Sequence, residues 1–182
     1  QTVESSEIVL EIAHNVPDGH NANFSIVFNS PDGQWNSNFN LPILAPNLTV
    51  SNPSFLDSNG NADGIWDAGE TITISLLLNN EGSVANYTYP GIHLSENSEN
   101  ASIDSEEFFW FYGIEAGTSM QADFQVSASE EANMGTEVEF TTYATELNCE
   151  QNCIESEPIT FILTIGLPID ESLHEPLNLI AE

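Results

Sequence analysis

Residues 71–78 read TITISLLL. Ile72, Ile74, Leu76 and Leu78 occupy alternate positions, and a period of two places them on one face of an extended strand. The same alternation returns in DFQVSA (123–128), where Phe124, Val126 and Ala128 share a face, and in TEVEFTTYA (136–144), with Val138 and Phe140. It returns again in PITFILTIG (158–166), with Ile159, Phe161, Leu163 and Ile165. No segment sustains a helical period beyond about two turns. NNEGS, EAGTS and SPDGQ place turn residues between the alternating runs. The pattern predicts an all-β protein, an immunoglobulin-like antiparallel β-sandwich.

An internal repeat sets the domain organisation. IVLEIAHNVPDGHNANFSIVF (8–28) lies over DFQVSASEEANMGTEVEFTTYA (123–144). Each holds a strand, an acidic or amide-rich loop ending in Gly19 or Gly135, and a strand centred on Phe24 or Phe140. A further strand follows each, QWNSNFNLPI (34–43) and PITFILTIGLP (158–168). Residues 1–45 therefore read as the last three strands of one sandwich, a partial second sandwich at the N-terminus. Residues 46–166 read as a complete copy, and 167–182 as a linker or strand reaching the next module or subunit. Three strands seldom hold a core and leave an open edge, so the half-domain is expected to be completed by upstream sequence or by another chain.

Charge narrows the functions. The chain of 182 residues carries 29 Asp and Glu and no Lys or Arg, a formal charge of −29. Nothing neutralises phosphates, so nucleic acid and anionic membranes are poor partners. Walker lysines, Schiff-base lysines and arginine clamps are excluded with the cations. The four histidines, His14, His20, His93 and His174, are scattered without ligand spacing. Such a surface relies on dissolved or bound cations to offset its self-repulsion. A saline or calcium-rich setting, or avoidance of cleavage after Lys and Arg, would account for it, and both point to an extracellular or cell-surface location.

Cys149 and Cys153 are the only cysteines. Their spacing suits a small disulfide loop and an oxidising compartment, since a structural zinc would need two more soft ligands. No apolar run approaches the ~18 residues of a membrane span, and no signal peptide is recognised.

The stretch most suggestive of chemistry is DSNGNADGIWDAGE (57–70). An EF-hand-type loop places oxygen ligands at positions 1, 3, 5, 7, 9 and 12, with glycine at 6. Counted from Asn59, the register gives Asn61, Asp63, Gly64, the Ile65 carbonyl, Asp67 and Glu70, while Asp57 supplies the charge that Asn59 lacks. An Asx- and Gly-rich turn explains the Gly, Asn and Asp; it does not explain the spaced Glu70. Hard oxygens in a flexible loop suit Ca2+ better than Mg2+, and the absence of His and Cys disfavours transition metals. With no flanking helices, the Ca2+ would be structural.

NPSFLDSNGNADGIWDAGETITISLLLNNEGSVA (52–85), with FYGIEAGTS (111–119) and PITFILTIG, resembles the immunoglobulin-like modules of secreted Bacteroidetes proteins. Those modules accompany gingipain-type cysteine peptidase domains and related cargo of the type IX secretion system. The resemblance covers 46–166, and 1–45 resembles the end of a preceding module. It implies a calcium loop at Asp57, Asn59, Asn61, Asp63, Asp67 and Glu70. The chain holds no peptidase domain, no His/Cys catalytic pair and no basic C-terminal sorting domain, so the resemblance implies fold and compartment, not proteolysis.

FFWFY (108–112) is a second candidate surface. In a strand Phe108, Trp110 and Tyr112 share one face and Phe109 and Phe111 the other, so that either set fills the core; the strand is covered on both faces, as large aromatics usually are, or an exposed row stacks on the sugars of a surface glycan or buries against a subunit. Trp35 and Trp66 read as satellite core. The expected role is a non-catalytic, calcium-stabilised, structural or adhesive module of a larger protein, with neighbouring immunoglobulin-like modules or identical subunits as partners. The alternatives are a filament subunit assembled by strand complementation, through 1–45 or the tail IDESLHEPLNLIAE (169–182), and the accessory region of a gingipain-like peptidase.

Overall fold

The computed structural model describes residues 9–13, 15–57, 60–147 and 153–169. It is all-β: ten strands and no helix among the described residues. Two four-stranded antiparallel sheets enclose one core. The first has the order β3 (Leu48–Leu56), β4 (Thr71–Asn80), β8 (Ser119–Ala128), β6 (Ala101–Ile103). The second has the order β10 (Ile159–Thr164), β9 (Glu137–Glu146), β5 (Pro90–Glu96), β7 (Phe108–Trp110). All pairs are antiparallel.

Alternation explains why these strands form. Ile72, Ile74, Leu76 and Leu78 of β4 are all fully buried, as are Phe124 and Val126 of β8 and Val138 and Phe140 of β9. Each turns one face to the core, and a register slip by one residue would expose them all. β3 is an edge strand whose ladder breaks between Ser51 and Ser54. There Pro53 has no N–H to donate, and Asn52 takes φ 52°. Trp66 was expected as satellite core, yet it is 0% exposed and belongs to the central cluster, with Phe140 at 6.3 Å between ring centroids. Trp35, in contrast, is largely exposed.

The remaining strands, β1 (Asn21–Ser30) and β2 (Gly33–Pro42), form a separate two-stranded hairpin. Its register pairs Ala22 with Leu41, Phe24 with Phe39 and Phe28 with Trp35 on one face, while Asn23, Ser25, Asn36, Asn38 and Asn40 lie on the other. It repeats β9–β10 in detail. Gly19 (φ 73°) and Gly135 (φ 86°) each donate N–H to an isoleucine carbonyl, Ile43 at 2.9 Å and Ile165 at 2.8 Å. Those isoleucines donate back to His20 and Thr136, at 2.7 and 2.9 Å. The rings of Phe24 and Phe39 stack at 5.1 Å and 15°, those of Phe140 and Phe161 at 5.3 Å and 18°.

The expected strand at 8–12 departs from this agreement. Val9–Ala13 adopts no strand, although its counterpart lies in β8. β8 exists because β4 and β6 pair with it on either side; Val9–Ala13 has no such neighbours among the described residues.

Asp18 ties the hairpin to the sandwich. Its carboxylate accepts the Ala45 N–H at 2.8 Å and the Ser83 hydroxyl at 2.8 Å. The Ala45 N–H and then the Ser83 hydroxyl hold its pKa below the ordinary 3.8. A depressed carboxyl pKa contributes stability that is present above the unfolded value and lost as pH falls through the folded one. The junction should thus persist down to the normal carboxylate range and release below it, read as a shift of the Ala45 amide resonance during acid titration. In Asp18→Asn that transition should vanish.

Candidate metal centre

The loop between β3 and β4 is held by its own side chains. The Asn61 side chain accepts from the Asp63 N–H and the Asp63 side chain from the Ile65 N–H, both at 2.9 Å. These are Asx turns, the local bonds expected of such residues. Gly64 and Gly69 both take φ 80°, and Ala62 takes φ 60°. Glu70 gathers the loop: its Oε1 accepts the Asn61 N–H and its Oε2 the Asp67 N–H, both at 3.0 Å. The Trp66 indole donates to the Glu70 carbonyl at 3.2 Å, which anchors the loop in the core.

Asp57 faces inward. It is 8% exposed; Oδ2 accepts the Gly64 N–H at 3.0 Å, while Oδ1 is buried with no hydrogen-bond partner. A Cβ on Gly60 would lie 2.5 Å from that Oδ1 and 2.8 Å from the Glu70 Oε1. Two carboxylates thus converge on a space kept open by a glycine, in a chain with no Lys or Arg to neutralise them. Asp67 registers the crowding. Loss of solvent, followed by the charges of Glu70, Asp63 and Asp57, raises its pKa above the ordinary 3.8.

Of the residues assigned to calcium, the structure brings Asp57, Asn61, Asp63, Ile65, Asp67 and Glu70 into one loop; Asn59 lies outside the described residues. Among the described residues no three His, Cys, Asp or Glu side chains stand ready as a metal cage. The Glu70 oxygens instead accept backbone N–H groups. The donor set nevertheless fits a hard cation, since it is all oxygen and includes an unpartnered buried carboxylate oxygen. Asp57, Asn61, Asp63, Asp67, Glu70 and the Ile65 carbonyl would hold Ca2+, which would supply charge neutralisation and a cross-link.

The loop also holds the exit of the sandwich. Gly166 donates to the Trp66 carbonyl and Ile169 to the Gly64 carbonyl, both at 2.8 Å, and Ile65 bridges Pro168.

The other candidate residues separate. Phe108 and Trp110 stack at 5.1 Å and 2°, half-buried on the outer sheet face, where His93 lies between Phe108 (4.4 Å) and Tyr143 (4.8 Å). Tyr112 lies beyond β7, is 88% exposed and meets Tyr89 at 5.8 Å, so it does not extend the row. Phe111 is buried while Phe109 sits half-exposed at the open edge. Burial lowers the His93 pKa, against a smaller opposing pull from Glu107, whose carboxylate lies 3.8 Å from Nε2. Cys153 is disulfide-bonded; Cys149 lies outside the described residues, as do Asp170–Glu182 of the tail.

A buried carboxylate escaped sequence reasoning. Glu146, at the end of β9, is 5% exposed and accepts from the Asn86 side chain, the Thr88 hydroxyl at 2.5 Å and the Ile154 N–H at 3.2 Å. An acid closing a strand gives no sign of burial.

No catalytic constellation is evident among the described residues, and no helix among them is long and apolar enough to cross a membrane. No family model matches the chain, and no curated protein matches it. The solved structure of AvmM, described as catalysing macrocyclization in alchivemycin A biosynthesis, is similar at 10% identity with a TM-score of 0.44. The match covers 68% of this chain and 91% of that one. A likeness so distant carries no argument.

Proposed function

We propose that the chain is a non-catalytic, calcium-stabilised, immunoglobulin-like structural or adhesive part of a larger secreted or cell-surface protein. The orders β3-β4-β8-β6 and β10-β9-β5 correspond to the ABED and CFG sheets of that fold, with β7 added beside β5. The bonded Cys153 and the strongly acidic composition favour an oxidising, cation-rich exterior. One observation carries the metal: the buried, unpartnered Asp57 Oδ1 converging with Glu70 on the space over Gly60.

A ligand that binds only the folded state at about 100 times its Kd stabilises by about 2.7 kcal/mol. Chelation should therefore lower the melting temperature by several degrees, and added Ca2+ should restore it. Gly60→Ala, whose methyl would displace both carboxylates, should abolish the calcium response. An unchanged melt on chelation, with Gly60→Ala and Glu70→Gln equally silent, rejects the metal.

A further inference from the structure

A cleft opens where the chain crosses from one sheet to the other. β6 pairs with β8 only from Ala101 to Ile103, and the Asp104 N–H still reaches the Gln125 carbonyl at 2.8 Å. Beyond that point β8 is uncovered on this side, while β7 has β5 on one side and, among the described residues, no strand on the other. The cleft measures about 420 Å³ and is lined by Ser105, Glu106, Phe108, Phe109, Trp110 and Asp123. Its aromatic wall is set in place. Phe108 and Trp110 stack, and a Cβ on Gly91, opposite Trp110 in the register, would collide with the indole. Phe109 is left 40% exposed. The acidic side is unspent: among the described residues the Glu106 carboxylate accepts no hydrogen bond. Asp123 accepts from Ser75 and Gln121 through Oδ1 alone, at 2.6 and 2.8 Å.

We infer that this cleft receives the guanidinium of an arginine presented by a different protein. That group is planar, weakly hydrated and always charged, so it stacks on aromatic rings while its N–H fork meets carboxylates. A metal ion gains nothing from three rings and needs more oxygen ligands than Ser105, Glu106 and Asp123 supply. A lysine ammonium is compact and strongly hydrated, and it fits the rings less well. The chain has no Arg, so neither its own residues nor a second copy can fill the site. His93, which meets Phe108 at 4.4 Å, does not compete at neutral pH, because burial favours its uncharged form. A formal charge of −29 draws a basic surface in from a distance, and the cleft decides where it docks.

The inference stands on the cleft and not on the calcium or the compartment proposed above. A blocked Gly-Arg-Gly peptide and its citrulline counterpart, which keeps the shape and loses the charge, would be titrated into the isotope-labelled 182-residue chain and followed by NMR. The arginine peptide should shift the amides of 105–110 and 122–124 first, with a Kd in the millimolar range that weakens as salt rises. The citrulline peptide should bind about tenfold more weakly or worse. Glu106→Gln, a change at an exposed loop residue, should weaken arginine binding by about threefold or more, and Trp110→Ala by about tenfold. Asp32→Asn, which removes one charge from the hairpin turn, should leave it unchanged. The inference is overturned if citrulline binds as well as arginine, if the shifts spread over the acidic segments without favouring the cleft, or if none arises at about 10 mM peptide. It is equally overturned if Glu106→Gln, or a folded Trp110→Ala, binds arginine as the unsubstituted chain does.

Discussion

Trp66→Ala lowers the stability of the sandwich by about 3–5 kcal/mol, the usual range for removing a fully buried indole, seen as an earlier urea midpoint with an unchanged slope. Trp66 is 0% exposed and packs against Phe140, so truncation leaves a cavity that the two sheets cannot close. The same change should weaken the proposed calcium site, because the indole N–H bonds the Glu70 carbonyl and the Trp66 carbonyl receives the Gly166 N–H. Trp66→Phe separates the two effects. It keeps most of the buried ring and loses one hydrogen bond, a cost of about 1 kcal/mol, and the Glu70 carbonyl still accepts the Ala128 N–H at 2.9 Å. Equal losses in the two variants would place the tryptophan outside the core.

The second large effect belongs to Glu146→Ala. Its carboxylate satisfies donors from Asn86, Thr88 and Ile154, and Asn86 itself is 3% exposed. Truncation leaves buried donors without an acceptor at roughly 1–3 kcal/mol for each uncompensated group. A total near 3 kcal/mol is expected, with water entering to offset part of the rest. Glu146→Gln keeps the shape but presents an amide N–H2 to donors, so it should recover only part of the loss. Asn86 also opens the sequon Asn-Tyr-Thr. With its amide spent on Glu146, it should remain unmodified in a glycosylating host while folding proceeds normally, as intact mass measurement would report.

How legible each part was follows from whether its cause is local. β4, β8, β9 and β10 were readable because one-sided burial writes a period of two into the sequence. The loop at 57–70 was readable as a Gly- and Asx-rich connection ahead of β4 because turn chemistry is also local. Asp57 was credited with charge alone, and only the folded chain shows it buried, with Gly60 keeping space between it and Glu70. The Glu146 cluster was illegible because its partners Asn86 and Thr88 lie about sixty residues away and nothing in an acidic chain marks one acid as interior. Tyr112 failed to join Phe108 and Trp110 because β7 ends at Trp110, a boundary that five successive aromatics do not reveal. Trp66 was placed at the margin because it stands in a polar loop, and tertiary packing draws it to the centre.

The path of the backbone through the sandwich sets how it would carry a load. The chain enters at Leu48, beside Asn80, and leaves past Thr164, where Trp66 and Gly64 hold Gly166 and Ile169. Entry and exit lie at opposite ends, on the edge strands of different sheets. Tension between the two ends would therefore slide β3 along β4 and β10 along β9, loading each row of ladder hydrogen bonds all at once instead of peeling them singly. The acidic loop sits where that tension leaves the sandwich, so a bound cation there would act as a mechanical rivet as well as a thermodynamic one.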